Sequence, residues 1–262
     1  MNDFLERIAA HKRAEVAARE RARPLPLVQA AAAKAPPPRA FPAALAGSPP
    51  RLIAEVKRAS PARGALNLAL DPAALARSYA AAGAHALSVL TDERFFHGHD
   101  ADLAAARAAV ALPVLRKDFV LAPYQVWEAR ALGADAVLLI VALLPERELA
   151  ALQALAHELG MAALVEVHTP AEAEIATAVA ARLIGINNRD LTTFQVDLAT
   201  TERIAPLLPS EATVVSESGI HSAADVRRVL QAGARAILVG EALVTAEDPA
   251  ARIAELLGVA VP

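Results

Sequence analysis

Three near-copies of one short phrase constrain this chain more than any other feature. Ala82-Gly83-Ala84-His85-Ala86, Leu132-Gly133-Ala134-Asp135-Ala136 and Ala232-Gly233-Ala234-Arg235-Ala236 each place a glycine just before a run of Val, Ile and Leu. Each glycine suits the left-handed position that closes a helix. The glycines lie 50 and then 100 residues apart, so a 25-residue unit accounts for both gaps and the phrase marks the second, fourth and eighth members of a series. Between them, short β-branched runs alternate with Ala-rich stretches of helical length, the pattern of parallel strands joined by crossover helices.

The spacing predicts strands at Leu52 to Val56, Ala86 to Leu90, Val114 to Arg116, Ala136 to Ile140, Ala162 to Val167, Leu183 to Ile186, Thr213 to Ser216 and Ala236 to Val239. Eight such units fill about 200 residues, the distance from Leu52 to the last helix near Leu257. A doubly wound open sheet rarely needs eight consecutive parallel strands at such even spacing. The expected fold is therefore a single (β/α)8 barrel, residues 51–262, with an N-terminal helix and Pro-rich connector, residues 1–50, added to the same domain. The helix is expected from Asn2 to Arg23, capped by Asn2 or Asp3, with Leu5, Ile8 and Val16 near one face. Eight prolines between Pro24 and Pro50 make regular structure there improbable apart from a short turn at Val28 to Lys34.

Composition removes several classes of function. The chain is 55% hydrophobic and carries a formal charge of -3, so it has apolar surface enough to fold and lacks the basic stripe that replaces phosphate counterions on nucleic acid. Aromatics at 3% give no base-stacking platform. With no cysteine there are no disulfides, thiolate metal sites or cysteine nucleophiles. The nine apolar residues from Ala136 to Leu144 are about half a membrane span. Asp3, Glu6, Glu15 and Glu20 make the N-terminus too acidic for an organelle transit peptide, and it lacks the apolar stretch of a secretory signal. A cytoplasmic protein is expected, with no membrane or nucleic-acid partner, as a monomer or weak homodimer.

In such a barrel the chemistry sits at the C-terminal strand ends, and polar residues collect there. The first strand ends Glu55-Val56-Lys57, the third Arg116-Lys117-Asp118, the fifth Glu166-Val167-His168, the sixth Asn187-Asn188-Arg189 and the seventh Glu217-Ser218-Gly219. Strand alternation puts Glu55 with Lys57, and Asn187 with Arg189, on common faces. Any one of these charges is as readily a solvated rim residue, but five together are harder to dismiss. Lysines and glutamates converging on one mouth shift one another's pKa values and supply an acid and a base. Gly219 and Gly240, after the last two strands, sit where barrel backbones bind phosphate, and Arg189 adds a bidentate contact.

These residues resemble the indole-3-glycerol phosphate synthase family. The pieces are Ile53-Ala54-Glu55-Val56-Lys57-Arg58-Ala59-Ser60-Pro61, Leu90-Thr91-Asp92 with Phe95-Phe96, Leu115-Arg116-Lys117-Asp118-Phe119, Leu164-Val165-Glu166-Val167, Ile184 to Leu191, Ser216-Glu217-Ser218-Gly219-Ile220 and Leu238 to Leu243, in order along nearly the whole chain. The resemblance implies conversion of 1-(2-carboxyphenylamino)-1-deoxyribulose 5-phosphate to indole-3-glycerol phosphate with loss of carbon dioxide and water and no cofactor. It implies Lys117 as the acid at the substrate carbonyl, helped by Lys57, which pairs with the substrate carboxylate. It implies Glu166 as the base of dehydration, with either lysine as the acid of that step. Glu55, Glu217, Asn187 and Ser218 complete the catalytic set. Ser60, Arg189, Gly219, Gly240 and Glu241 fall at substrate or phosphate positions, and Phe96, Phe119 and Leu138 wall the aromatic ring. Glu241 stands where some members carry serine, which leaves backbone amides as the phosphate donors there.

Other readings remain. A phosphoribosylanthranilate isomerase shares the barrel, but its usual catalytic cysteine cannot exist here. A Schiff-base aldolase would use Lys57 or Lys117 as a neutral nucleophile. A silent barrel could bind a phosphorylated ligand without turnover. His97-Gly98-His99 lacks a third ligand at convincing spacing, so no metal is expected. His168 and His221 read as solvated loop residues more readily than catalytic ones. Tyr124 and Trp127 read as packing of the third crossover helix on the barrel. The loop from Arg58 to Leu70, with Pro61 and Gly64, could act as a lid.

Overall fold

The computed structural model describes residues 3–258, apart from the side chain of residue 3. Eight parallel strands close into a barrel: β1 (Arg51–Val56), β2 (Ala86–Leu90), β3 (Val114–Lys117), β4 (Ala136–Ile140), β5 (Ala162–Val167), β6 (Leu183–Asn187), β7 (Thr213–Glu217) and β8 (Ala236–Val239). Closure is made by β1, which pairs with β8 through Leu52 opposite Ile237 and with β2 through Ile53 opposite Ala86. All eight strands lie where the sequence spacing predicts them, within one residue at either end. Helices cover the outside, so the strands are buried on both faces. Among the described residues no helix is long and apolar enough to cross a membrane.

The repeated phrase has a physical purpose at the N-terminal rim. Gly83, Gly133 and Gly233 take φ values of 97°, 88° and 111°, a conformation that side chains with a Cβ rarely adopt. Two of the variable residues that follow satisfy an N–H at the start of a neighbouring strand. Leu52 N–H donates to His85 Nδ1 at 3.1 Å, and Val114 N–H donates to Asp135 Oδ2 at 2.8 Å. These donors lie at the sheet's end, where the ladder offers them no partner.

The N-terminal segment departs from its expected form. The first helix runs Asp3–Ala22, with Leu5, Ile8 and Val16 buried as expected. The expected cap at Asn2 lies outside the described residues, and Asp3 is already helical. The connector is more regular than the prolines suggested, with helices at Leu25–Lys34 and Phe41–Ala44. Pro24 precedes the first of these and Pro26 lies within its opening turn, where the missing N–H would have no helical acceptor anyway. Tyr124 and Trp127 face this segment, correcting their assignment to barrel packing. Val16, Val28 and Tyr124 form a separate cluster joined by Leu25 and Trp127, and Tyr124 Oη donates to the carbonyls of Arg19 and Arg23.

A buried ionic network fastens the first helix across the barrel. Lys12, 1% exposed, lies 2.7 Å from Asp92 Oδ2 and 2.9 Å from Asp118 Oδ1. Burial opposes its charge, but Asp118 and Asp92 outweigh that and hold its pKa well above the usual lysine value. Asp118 also accepts from Thr91 Oγ1 at 2.6 Å and lies 3.6 Å from the buried Arg116, which pairs in turn with Asp100 and Glu128. Lys12→Met is expected to cost about 3–5 kcal/mol, because two buried carboxylates lose their counter-ion. Thermal denaturation should show this as a drop of about 10 °C in Tm; an unchanged Tm would mean that the network contributes nothing net.

Candidate active site

The C-terminal ends of the strands open into a cavity of about 350 Å³. Every residue proposed for the site from sequence lines it: Glu55, Lys57, Ser60, Phe96, Lys117, Phe119, Leu138, Glu166, Asn187, Arg189, Glu217, Ser218, Gly219, Gly240 and Glu241. They come from all eight strands and the loops that follow them. The first helix roofs the cavity with Phe4, Leu5 and Ile8, a contribution that local periodicity could not reveal. Phe4 stacks edge-on against Phe194 at 5.0 Å between ring centres.

At the floor, Lys117 Nζ sits between two carboxylates, 2.7 Å from Glu166 Oε2 and 2.6 Å from Glu217 Oε2. Glu166 Oε1 accepts from Asn187 Nδ2 at 3.1 Å, and Asn187 Oδ1 in turn accepts from Ser218 Oγ at 2.9 Å. A second pair lies beside this one: Lys57 Nζ is 2.7 Å from Glu55 Oε1, while Glu55 Oε2 accepts from Ser88 Oγ at 3.3 Å. Two glycines make room for this crowding. A Cβ on Gly185 would collide with Glu217 Oε1, and one on Gly240 would collide with Glu55 Oε1. Gly240, read from sequence as a site of backbone approach to phosphate, thus also clears space for a carboxylate.

Burial and neighbouring charge set the protonation states. Burial disfavours the Lys117 ammonium, but Glu166, Glu217 and Glu55 outweigh it and hold its pKa well above that of a free lysine. A Schiff-base nucleophile must be neutral, so this lysine is poised to donate a proton instead. Burial pushes Glu166 up, yet Lys117 and His168 more than reverse this and keep it below the usual carboxylate range. Glu217 goes the other way: burial and the nearby charges of Glu166 and Glu55 raise it despite Lys117. The two carboxylates flanking one lysine are therefore driven apart, which separates a base from a group that retains its proton more readily.

At the mouth, Arg189 donates from its backbone to Asn187 Oδ1 and from its guanidinium to the Phe194 carbonyl, and lies 3.8 Å from Glu241 Oε2. Glu241 Oε1 pairs with Arg63 Nε at 3.1 Å, so its carboxylate is matched by two cations in place of standing alone at an anion site. Arg63, missed in the sequence reading, belongs to the loop considered as a lid. That loop is tied at its base, where Arg58 grips Asp102 with two nitrogens and donates to the carbonyls of Leu68 and Leu70. A two-residue antiparallel ladder of Ala59–Ser60 with Gly64–Ala65 ties it further.

His168 overturns its sequence reading. Its side chain is only 10% exposed, 3.3 Å from Glu166 Oε1 and 3.1 Å from Glu172 Oε2. The i, i+2 spacing from Glu166 was the available signal, since it puts both side chains on one strand face. His221, by contrast, is exposed at the rim, and His97 and His99 are exposed in the segment after β2. Among the described residues no group of three or more His, Asp or Glu side chains is placed to hold a metal ion.

Fold and site together define a (β/α)8 barrel with a cluster of paired lysines and glutamates at its C-terminal rim, the place where barrel enzymes hold their active sites. Solved structures share the architecture at low identity: thiamine phosphate pyrophosphorylase from Pyrococcus furiosus superposes with a TM-score of 0.60 at 20% identity, over 79% of this chain and 93% of that one. A chain of the Pyrococcus furiosus tryptophan synthase complex gives 0.58 at 16%, over 80% and 98%. The sequence model of indole-3-glycerol phosphate synthase matches residues 5–256, and the chain belongs to that family. It is 55% identical to the indole-3-glycerol phosphate synthase of Roseiflexus castenholzii, over 98% of this chain and 99% of the relative. It is 56% identical to that of Leifsonia xyli, over 94% and 95%.

Proposed function

We propose that the chain converts 1-(2-carboxyphenylamino)-1-deoxyribulose 5-phosphate to indole-3-glycerol phosphate, as a carboxy-lyase of tryptophan biosynthesis, with Lys117 and Glu166 as its principal acid and base. The observation that carries the assignment is Lys117 Nζ held between Glu166 and Glu217 at the floor of a cavity walled by Phe96, Phe119 and Leu138. The apolar walls take the aromatic ring, and the mouth near Arg189 takes the phosphate.

The steps follow from proton bookkeeping. The ring carbon bearing the carboxylate attacks the ketone, and the carbonyl oxygen takes a proton from Lys117. Carbon dioxide then leaves, and its bonding electrons restore the benzene ring. The new hydroxyl departs as water with a second proton from a lysine, while Glu166 takes the proton from the adjacent carbon to complete the pyrrole ring. Two protons are taken up and one is returned, so each turnover consumes one proton from solvent. Lys57, paired with Glu55 nearer the mouth, meets the substrate carboxylate and serves as the second acid. All groups invoked belong to one chain, which suits a monomer or weak homodimer working in the cytoplasm.

The direct test is growth of indole fluorescence when purified protein meets this substrate; binding without product would assign the barrel to another reaction. Arg189→Ala is expected to raise KM about 10- to 100-fold with little change in kcat, because a charge-assisted contact to the unreacting phosphate is lost equally in ground and transition states. Steady-state kinetics would show it, and a fall in kcat at unchanged KM would place Arg189 nearer the reacting atoms.

A further inference from the structure

Lys117 is flanked almost symmetrically, by Glu166 at 2.7 Å and Glu217 at 2.6 Å. Geometry around the lysine alone does not say which carboxylate stays ionised to act as base. Three carboxylates, Glu55, Glu166 and Glu217, meet two lysines, Lys57 and Lys117, so the cluster has one negative charge in excess. The asymmetry enters from behind Glu166. His168 Nε2 lies 3.3 Å from Glu166 Oε1, on the side away from Lys117, although His168 itself does not line the cavity. Its other nitrogen, Nδ1, meets Glu172 Oε2 at 3.1 Å, and the same oxygen accepts the His168 backbone N–H at 2.8 Å.

We propose that His168, braced by Glu172, is a positioning residue that selects Glu166 over Glu217 as the ionised carboxylate beside Lys117. The proposal rests on the reaction assigned above. With carboxylates at both ring nitrogens, His168 is an imidazolium, and it adds a third cation to the cluster, placed against Glu166. The charged groups facing it are Glu166, near the end of β5, and Glu172 on helix Pro170–Ala178; Lys117 and Glu217 lie beyond Glu166. Burial opposes the proton on His168, but the two carboxylates raise its pKa to about 10, so it stays charged through the neutral range.

The cation matters most once Lys117 has given its proton to the substrate oxygen. Glu166 then faces a neutral amine and would rise toward protonation just before it is needed as a base. The imidazolium keeps it anionic across that interval. Asn187 holds the same oxygen but carries no charge, so it orients Glu166 without doing this.

The experiment is the pH dependence of kcat and KM for wild type, His168→Gln and Glu172→Gln, read by indole fluorescence. A cation removed from a carboxylate raises that carboxylate's pKa, so the acid limb of kcat should move to higher pH by about one unit in His168→Gln. The loss in kcat should then grow as the pH falls through the wild-type limb, approach about tenfold below it and vanish well above it, with KM nearly unchanged. Glu172→Gln, on a more exposed residue less able to disturb folding, should shift the limb the same way by a smaller amount. A loss of equal size at every pH, or no loss, would overturn the proposal and leave His168 a packing residue. Absence of turnover in wild type would instead overturn the assigned reaction, so the two failures are distinguishable.

Discussion

Lys117→Ala is expected to lower kcat by about 10³- to 10⁴-fold, near the upper end for loss of a positioned acid, while the barrel stays folded. That corresponds to roughly 4–5.5 kcal/mol of barrier. The size rests on the proposed place of Lys117 at the substrate carbonyl, where Glu166 and Glu217 at 2.7 and 2.6 Å hold its ammonium in position. Folding survives because Glu217, already raised by burial and by its neighbours, can take a proton when the ammonium is gone and so escapes being an uncompensated buried charge. Steady-state kinetics with circular dichroism on the same sample gives the answer. A folded variant with near-normal kcat would remove Lys117 from the acid role and point to Lys57.

Glu166→Gln should separate the two halves of the reaction. Glutamine keeps the shape, and its one amide oxygen can still accept from Lys117 or Asn187, so substrate binding and ring closure are expected to be largely retained. What is lost is the base for the last proton, and dehydration should slow by about 10²- to 10³-fold. In a single turnover, carbon dioxide should therefore appear well ahead of indole fluorescence, whereas wild type should release both nearly together. If the variant forms carbon dioxide and indole in step at the wild-type rate, the base is another group, and Glu217 becomes the first candidate.

These two experiments and the His168 profile bear on one feature, the splitting of two neighbouring carboxylates around a shared lysine. Neither carboxylate is unusual by type or strand position. Glu166 gains Lys117, Asn187 and His168 as partners, whereas Glu217 gains Lys117 and the repulsion of Glu166 and Glu55. The difference is one of surroundings, and it underlies the roles proposed for them.

What the amino-acid sequence determined by itself was everything carried by local periodicity. The strands were legible because β-branched runs, helix-length intervals and the phrase around Gly83, Gly133 and Gly233 repeat along the chain. The candidate site was legible because a parallel barrel delivers every strand's C-terminal end to one rim, so a polar residue at each end is a residue at the mouth. Tertiary structure alone decided the rest. The roof of Phe4, Leu5 and Ile8, the ties between Lys12, Asp92 and Asp118, and the contact of Arg63 with Glu241 join residues remote in sequence, and no periodicity encodes such distances. The Pro-rich connector hid a helix because proline is permitted in an opening turn while forbidden in the next. His168 lies in the expected loop but looked solvated, because burial and ion pairing depend on what the neighbouring helix and strands bring to it, and electrostatic interaction acts through space and not along the chain.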